Sequence, residues 1–315
     1  MATVLGIVLP VFALIFVGWL IARVGVLSEE GLRGLTNYTF YVAFSALLFR
    51  AMRDVRLQEL DAGILLAFFG GVGVVWLLAT AIGRFVFRLT LAEQAMMALG
   101  ACFSNGVGLG IPLIFATWGR DGLVPLLMII AVHSAIILST ASVLAELDRG
   151  GARGHSLARR LGSSLLAILR HPVLVAIGAG LVWGMVSRES GLALPGAAET
   201  ALKWLADSAI PCGLIGLGAS LAGIRLAGDL PQAVVMTALK LMALPLAVWL
   251  LARHVLVLEP LWVAVATVNA AMPTGANVYL MAQRYGVYVA RSTSTVLLST
   301  VLSLFTLTAL LAFFT

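Results

Sequence analysis

Charge is scarce in this chain: of its 315 residues only 11% are Asp, Glu, Lys or Arg and 61% are apolar, against about 25% charged residues in soluble domains. That composition excludes a soluble enzyme. Cysteine is nearly absent as well. Cys102 and Cys212 are the only two, and both lie inside apolar stretches, so neither a disulfide framework nor a zinc site can be built from them. Catalytic signatures are missing too. There is no His-Glu-x-x-His, no Gly-x-Ser-x-Gly and no Gly-x-x-x-x-Gly-Lys-Ser/Thr, the patterns that hold zinc, a serine nucleophile and a nucleotide phosphate. The stretch Gly106 to Gly110 lacks the full dinucleotide spacing. No enzyme, cofactor or metal site is therefore expected, and any work on a solute must draw on a gradient. A formal charge of +6 would suggest nucleic acid in a soluble chain, but here the basic residues lie between apolar runs, as loop charges of membrane proteins do. The partner is the lipid bilayer, not nucleic acid.

What the chain has in abundance is long apolar segments. From Thr3 to Ala22 no residue is charged and no small-x-small cleavage site follows, which predicts a first span rather than a signal peptide. Further runs cover about 32–52, 62–83, 93–118, 122–145, 172–187, 199–222, 230–252, 260–283 and 292–314. A spanning helix needs about 20 apolar residues, so ten spans are expected. The runs are apolar on all faces rather than alternating, which predicts an all-α polytopic membrane protein and not a β-barrel. The longest polar interval, Glu146 to His171, holds five arginines. Its Leu157, Leu161, Leu165 and Ile168 recur at helical spacing, which suits either an amphipathic helix on an anionic leaflet or a solvated linker helix. With this interval cytoplasmic, loop Lys and Arg fall 12 inside and 7 outside, and both termini face the extracytoplasmic side.

The two halves echo each other. Pro10 and Gly18 in span one match Pro172 and Gly180 in span six at an offset of 162, Pro112 and Pro273 match at 161, and Leu138-Ser139-Thr140 matches Leu298-Ser299-Thr300 at 160. This predicts a five-helix repeat over 1–150, a basic linker over 151–171 and a second repeat over 172–315. An odd number of spans per copy inverts the second copy in the membrane, and inverted repeats are a transporter architecture.

Spans four and nine are the least helical. The first reads Ser104-Asn105-Gly106-Val107-Gly108-Leu109-Gly110-Ile111-Pro112, and the second Asn269-Ala270-Ala271-Met272-Pro273-Thr274-Gly275-Ala276-Asn277. Proline removes a helical donor, and each glycine costs a helix roughly 1 kcal/mol relative to alanine. Broken helices persist at membrane depth only where their freed backbone groups line a cavity or meet protein. If the breaks cross, half-helices beginning at Pro112 and Pro273 aim their positive N-termini at one spot, which would bind an anion. Asn105, Asn269, Asn277 and Thr274 add neutral donors, and Gly108, Gly110 and Gly275 allow close backbone approach. The competing reading is a pair of packed proline kinks with asparagine caps.

Two ionisable residues lie deep in spans, Asp207 in span seven and Lys240 in span eight. Charges there cost at least about 2.5–3.5 kcal/mol each and need a partner or water. Two readings fit: an Asp207–Lys240 pair that couples protons in one conformation, or a static or snorkelling arrangement. His133 in span five is either a proton relay or hydrogen-bonded packing.

Asn105 through Pro112, and Met272-Pro273-Thr274-Gly275-Ala276-Asn277-Val278-Tyr279 followed by Arg284-Tyr285-Gly286, closely resemble the crossover signatures of the auxin efflux carrier family, which includes bacterial malate and malonate permeases. The likeness extends over the whole chain, to Pro10-Val11 with Gly18, to Gly216 through Leu221 and to Ser292 through Ser303. It implies a ten-helix fold shared with bile-acid/sodium symporters, with crossing broken helices four and nine. Spans one, two, six and seven would form a scaffold, and spans three to five and eight to ten an elevator-like transport domain, often within a homodimer. Many relatives carry a proline in span two where this chain has Phe44-Ser45-Ala46. The short central interval suits a prokaryotic, inner-membrane carrier. No carboxylate flanks the crossover, which disfavours sodium coupling. The expected function is a secondary carrier of small organic carboxylates. The alternatives are an aromatic-acid exporter, or a non-transporting sensor or channel on the same fold.

Overall fold

A backbone in lipid must satisfy its polar groups internally, and every long apolar run in the computed structural model is accordingly helical. The structure describes residues 2–56, 60–148, 172–223 and 230–315. The basic linker over 151–171, with its expected amphipathic helix, lies outside them. The helices in chain order are α1 (Ala2–Arg23), α2 (Glu29–Tyr38), α3 (Phe44–Met52), α4 (Gly63–Phe85), α5 (Leu91–Cys102) and α6 (Ile111–Asp148). The second half adds α7 (Pro172–Ser190), α8 (Gly196–Leu221), α9 (Leu230–Ala238), α10 (Leu244–Leu250), α11 (Pro260–Ala270), α12 (Asn277–Tyr285) and α13 (Val289–Phe314). Among the described residues seven helical stretches are long and apolar enough to cross a membrane, so the protein is a polytopic, multi-pass membrane protein of the all-α class.

The helices shorter than a full span have local causes. Span two divides at a π-helical turn, Thr39–Ala43, placed directly before Phe44, so a widened turn stands near the position where a proline was missing. The long α6 is broken at Gly119, whose φ of +62° only glycine adopts without strain. The start of α5 is a capping box: Thr90 Oγ1 accepts from the Glu93 N–H at 3.3 Å and Glu93 Oε2 from the Thr90 N–H at 3.0 Å.

Two apolar clusters hold the bundle together. One joins α4, α5, the second half of α6 and α9 through α12. The other joins α1, α3, the ends of α6 nearest Gly119, α7, α8 and parts of α11 and α13. Within the second cluster the helices approach through glycine, as expected where lipid offers no hydrophobic drive and van der Waals contact must serve. A Cβ at Gly18 of α1 would fall 2.1 Å from the Ile215 carbonyl oxygen of α8, and one at Gly218 of α8 only 1.8 Å from the Ile15 oxygen. Gly180 and Gly184 of α7 meet the backbone of Phe49 and Arg53 in the same way, at 2.7 and 1.9 Å. Arg53 also forks onto Glu199 in the first turn of α8, with Nη2 2.9 Å from Oε1, and Arg50 joins the same carboxylate.

Glycine at these crossings is therefore required by backbone and not by flexible side chains. Gly218→Val and Gly184→Val are expected to lower the melting temperature of the detergent-purified protein by several degrees, overpacking costing about 1–3 kcal/mol. Gly73→Ala, at an exposed position with nothing within 4 Å of the added methyl, leaves the melting temperature unchanged or slightly higher. Equal melting temperatures for all three variants would contradict this account of the packing.

Candidate functional site

Helix α5 stops at Cys102, and α11 stops at Ala270. Each stop orphans carbonyls and N–H groups that lipid cannot satisfy. The two interruptions satisfy one another. Phe103-Ser104-Asn105 runs antiparallel to Pro273-Thr274-Gly275, with the Asn105 N–H donating to the Pro273 oxygen at 2.9 Å and the Gly275 N–H to the Phe103 oxygen at 3.1 Å. In this register Ser104 and Thr274 face each other without bonding, so their own N–H groups point outward. The Ser104 N–H reaches His133 Nε2 at 3.4 Å, and the Thr274 N–H reaches Ser299 Oγ at 3.0 Å. The carbonyls left four residues upstream are capped as well: Thr274 Oγ1 donates to the Gly100 oxygen at 2.9 Å, and Lys240 Nζ donates to the Ala270 oxygen.

Beyond the bridge the chain re-enters helix. Asn105 Oδ1 accepts from the Gly108 N–H at 3.1 Å, capping a π-helical turn over Gly106–Gly110 that leads into α6. The prolines do not occupy the expected positions. Helix resumes at Gly106, so Pro112 sits inside it rather than at its start. Lacking an N–H, Pro112 leaves an upstream carbonyl free, and the turn before it widens so that the Ile111 N–H bonds the Gly106 oxygen. Pro273 lies in the bridge, and the second half-helix starts at Asn277 with Ala276 as its cap. The offset of 161 therefore joins positions with different structural roles: Pro112 is eight residues past Ser104, whereas Pro273 directly precedes Thr274.

One face of this junction floors a cavity of about 800 Å³, within the common range of ligand pockets, about 300–1,000 Å³. Asn105, Gly108, Asn269, Gly275, Asn277 and His133 line it. Gly110, Pro112, Pro273 and Thr274 support the junction from outside the cavity. Asn269 is buried, and its Oδ1 has no hydrogen-bond partner among the described residues. A Cβ at Gly106 would fall 2.8 Å from that oxygen, so glycine there gives the amide its room. From the junction the cavity follows α6 from Ile130 to Glu146, about 24 Å at 1.5 Å per residue, and reaches Val173 and Leu174 at the start of α7.

Asp207 and Lys240, for which the sequence left pairing open, have separate partners in this conformation. Asp207 is exposed and pairs with Lys203 one helical turn away, Nζ to Oδ2 2.8 Å, while Lys240 is fully buried against α11. An i,i+4 partner on its own helix was available to Asp207 from the sequence. Among the cavity-lining residues that the sequence reading did not place at the site are Arg284, Glu146 and the phenylalanines Phe40, Phe44 and Phe103. Arg284 follows Asn277 by seven residues, two helical turns, and Leu138, Ser142 and Glu146 recur every four, so both stripes were readable as helix faces. The tyrosine hydroxyl of Tyr285 lies 3.3 Å from Glu146 Oε1. Cys102 and Cys212 are both free.

Apolar helices around a pocket floored by two interrupted helices define a polytopic membrane transporter. The chain belongs to the membrane transport protein family, whose pattern it matches over residues 3–311, the family of the auxin efflux carriers. It is 31% identical over 313 residues to a Rhizobium meliloti (strain 1021) protein named "Putative malonate transporter", covering 99% of this chain and 96% of that one. It is also 23% identical over 307 residues to an "Uncharacterized transporter" of Methanothermobacter thermautotrophicus, covering 95% of each. The protein is thus a transporter and not an enzyme.

The hydroxyl of Thr274 is the donor that replaces the missing helical N–H at Gly100. Thr274→Val keeps the shape and removes that donor, leaving a carbonyl unpaired in an apolar interior, a loss of about 1–3 kcal/mol. A lower melting temperature than that of the parent, with Thr274→Ser close to the parent, is the expected result.

Proposed function

We propose that this protein is a secondary carrier of a small organic carboxylate, bound where the two interrupted helices meet and moved by an elevator-like displacement. The observation that carries the reading is the convergence on one cavity of two helix starts, at Gly106 and Asn277, with the side chains of Asn105, Asn269 and Asn277. A helix start carries about half a positive charge, even where, as at Gly108 and Val278, part of its N–H groups are capped by the chain. A carboxylate fits such a floor, Arg284 adds a cation to the lining of the same cavity, and the relative named for malonate is consistent with that class.

The reading counts ten spans: α2 with α3, α9 with α10 and α11 with α12 each make one, α5 runs through the junction to Trp118, and the remainder of α6 is the fifth. Inverted five-helix repeats over 1–150 and 172–315 are supported by the glycine contacts. A twofold that exchanges the halves converts the α1–α8 contact at Gly18 into the α7–α3 contact at Gly180. The cavity runs between α2, α3, α7 and α8 on one wall and the junction with α6 and α12 on the other. These walls support a division into a scaffold of spans one, two, six and seven and a transport domain of spans three to five and eight to ten. The cavity's far end reaches Glu146 and Val173, which flank the linker in the sequence, so with a cytoplasmic linker this conformation faces inward. The setting is the inner membrane with both termini outside, as a homodimer, driven by a proton gradient or by the membrane potential acting on the anion.

A second substrate reading has its own observation. Phe40, Phe44 and Phe103 line the same cavity and would suit an aromatic acid through edge and face contacts. Counterflow of radiolabelled malonate in proteoliposomes, with indole-3-acetate as competitor, separates the two.

Asn105→Ala combined with Asn277→Ala is expected to reduce saturable counterflow at least tenfold, about 1.4 kcal/mol, with a melting temperature lowered by loss of the Asn105 cap, about 1 kcal/mol, so flux is compared at equal amounts of folded protein. The carrier reading fails if the double variant exchanges its substrate as fast as the parent.

A further inference from the structure

Lys240 is the one fully buried charged side chain among the described residues, and its surroundings offer it no counter-ion. It sits in the π-helical turn Leu239–Ala243, midway along the stretch Leu230–Val255. Among the described residues no carboxylate forms an ion pair with it. Its partner is the Ala270 carbonyl, which the interruption of α11 has deprived of the Thr274 N–H. The titratable groups nearest its charge, His133 and Cys102, are engaged as neutral groups: His133 Nε2 accepts a hydrogen bond, and the Cys102 thiol donates to the Val72 oxygen at 3.7 Å. The Lys240 amine is thus left without a counter-ion among the described residues, and the carbonyl it caps belongs to Ala270, the neighbour in sequence of Asn269, which lines the cavity.

The carbonyl ends of interrupted helices carry partial negative charge, and in carriers of this architecture they hold the coupling Na⁺. Here both such ends are already occupied by the chain itself, Gly100 by the Thr274 hydroxyl and Ala270 by the Lys240 ammonium. A hydroxyl suffices to cap a carbonyl, so a buried ammonium at the second end supplies something a cap alone does not need. We propose that Lys240 is a tethered cation: its ammonium permanently fills the carbonyl end of α11 that a mobile coupling cation would otherwise occupy. It holds positive potential behind the bound anion, and the carrier works without sodium. The inference rests on the carrier reading and assigns Lys240 as a positioning residue that acts through α11 and does not touch the solute.

The test uses the full-length purified protein and two readouts. Thermal unfolding is recorded for the parent, Lys240→Arg and Lys240→Ala in sodium, potassium, choline and propylammonium chloride. The parent and Lys240→Arg are expected to melt alike in all four salts. Lys240→Ala is expected to melt lower in choline and to recover in propylammonium or sodium, because a free cation can enter the vacated position. In proteoliposomes, malonate counterflow by the parent is expected to be equal in sodium and choline, and Lys240→Ala is expected to fall at least tenfold in choline with partial rescue by propylammonium. Selective stabilisation or stimulation of the parent by sodium overturns the proposal. So does a Lys240→Ala protein that no cation restores, or one that matches the parent in choline. If the parent moves no malonate, the substrate reading fails while the melting experiment still decides the role of Lys240.

Discussion

A hydrogen-bonding donor or acceptor in the middle of a bilayer has no water to turn to, and this protein interrupts two helices in that environment. Everything around the site follows from where the freed groups go. The Phe103–Asn105 and Pro273–Gly275 segments pair with each other, their outward N–H groups are taken by His133 and Ser299, and their upstream carbonyls by Thr274 and Lys240. Thr274 belongs to the bridge itself and the other three come from three different helical stretches, so the junction ties α5, α6, α9 to α10, α11 and α13 into one unit. Removing any one partner leaves a polar group in an apolar interior, a penalty that net hydrogen-bond energies of about 1 kcal/mol understate.

How much of this was legible depended on whether the signal was local. The spans, the two interruptions and the glycine-proline segments could be read because length, apolarity and helix-breaking residues are properties of short windows. Asn105, Gly108, Asn269, Gly275 and Asn277 were found by that route. The helix starts were misplaced for a specific reason. Proline favours the first helical turn, but it is also tolerated just past a widened turn, and the three glycines before Pro112 let the helix begin six residues earlier, at Gly106. The proline offset of 161 was thus a true sequence coincidence between positions with different roles.

The ionisable residues show a second limit of window reading. Depth in a span says that a charge needs a partner, not which one. Asp207 found Lys203 on its own helix, where a one-turn spacing costs little order, while Lys240 turned inward to a carbonyl that exists only because α11 breaks. That carbonyl is created by tertiary structure and has no sequence signature near Lys240. The same holds for Arg284 and Glu146, whose helix stripes were readable but whose common cavity requires α6 and α12 to be placed together.

A chain with 11% charged residues can nonetheless handle a charged solute, because the polarity required is already in its backbone. Two helix starts, three asparagine amides and one buried ammonium offer an anion fixed dipoles and a potential that need no reorganisation when it binds. Fixed dipoles also have an advantage over a ring of arginines in a carrier. A solute must leave on the far side, and a site made of partial charges in a low-dielectric cavity holds an anion strongly enough to admit it without the deep well of a direct ion pair. Lys240, placed behind the junction, serves the same end, while the charged residues that line the cavity itself, Arg284 and Glu146, are of opposite sign. Lys240 contributes potential through the α11 carbonyl end while remaining unable to close a contact with the solute, so attraction is supplied without a bond that release would have to break.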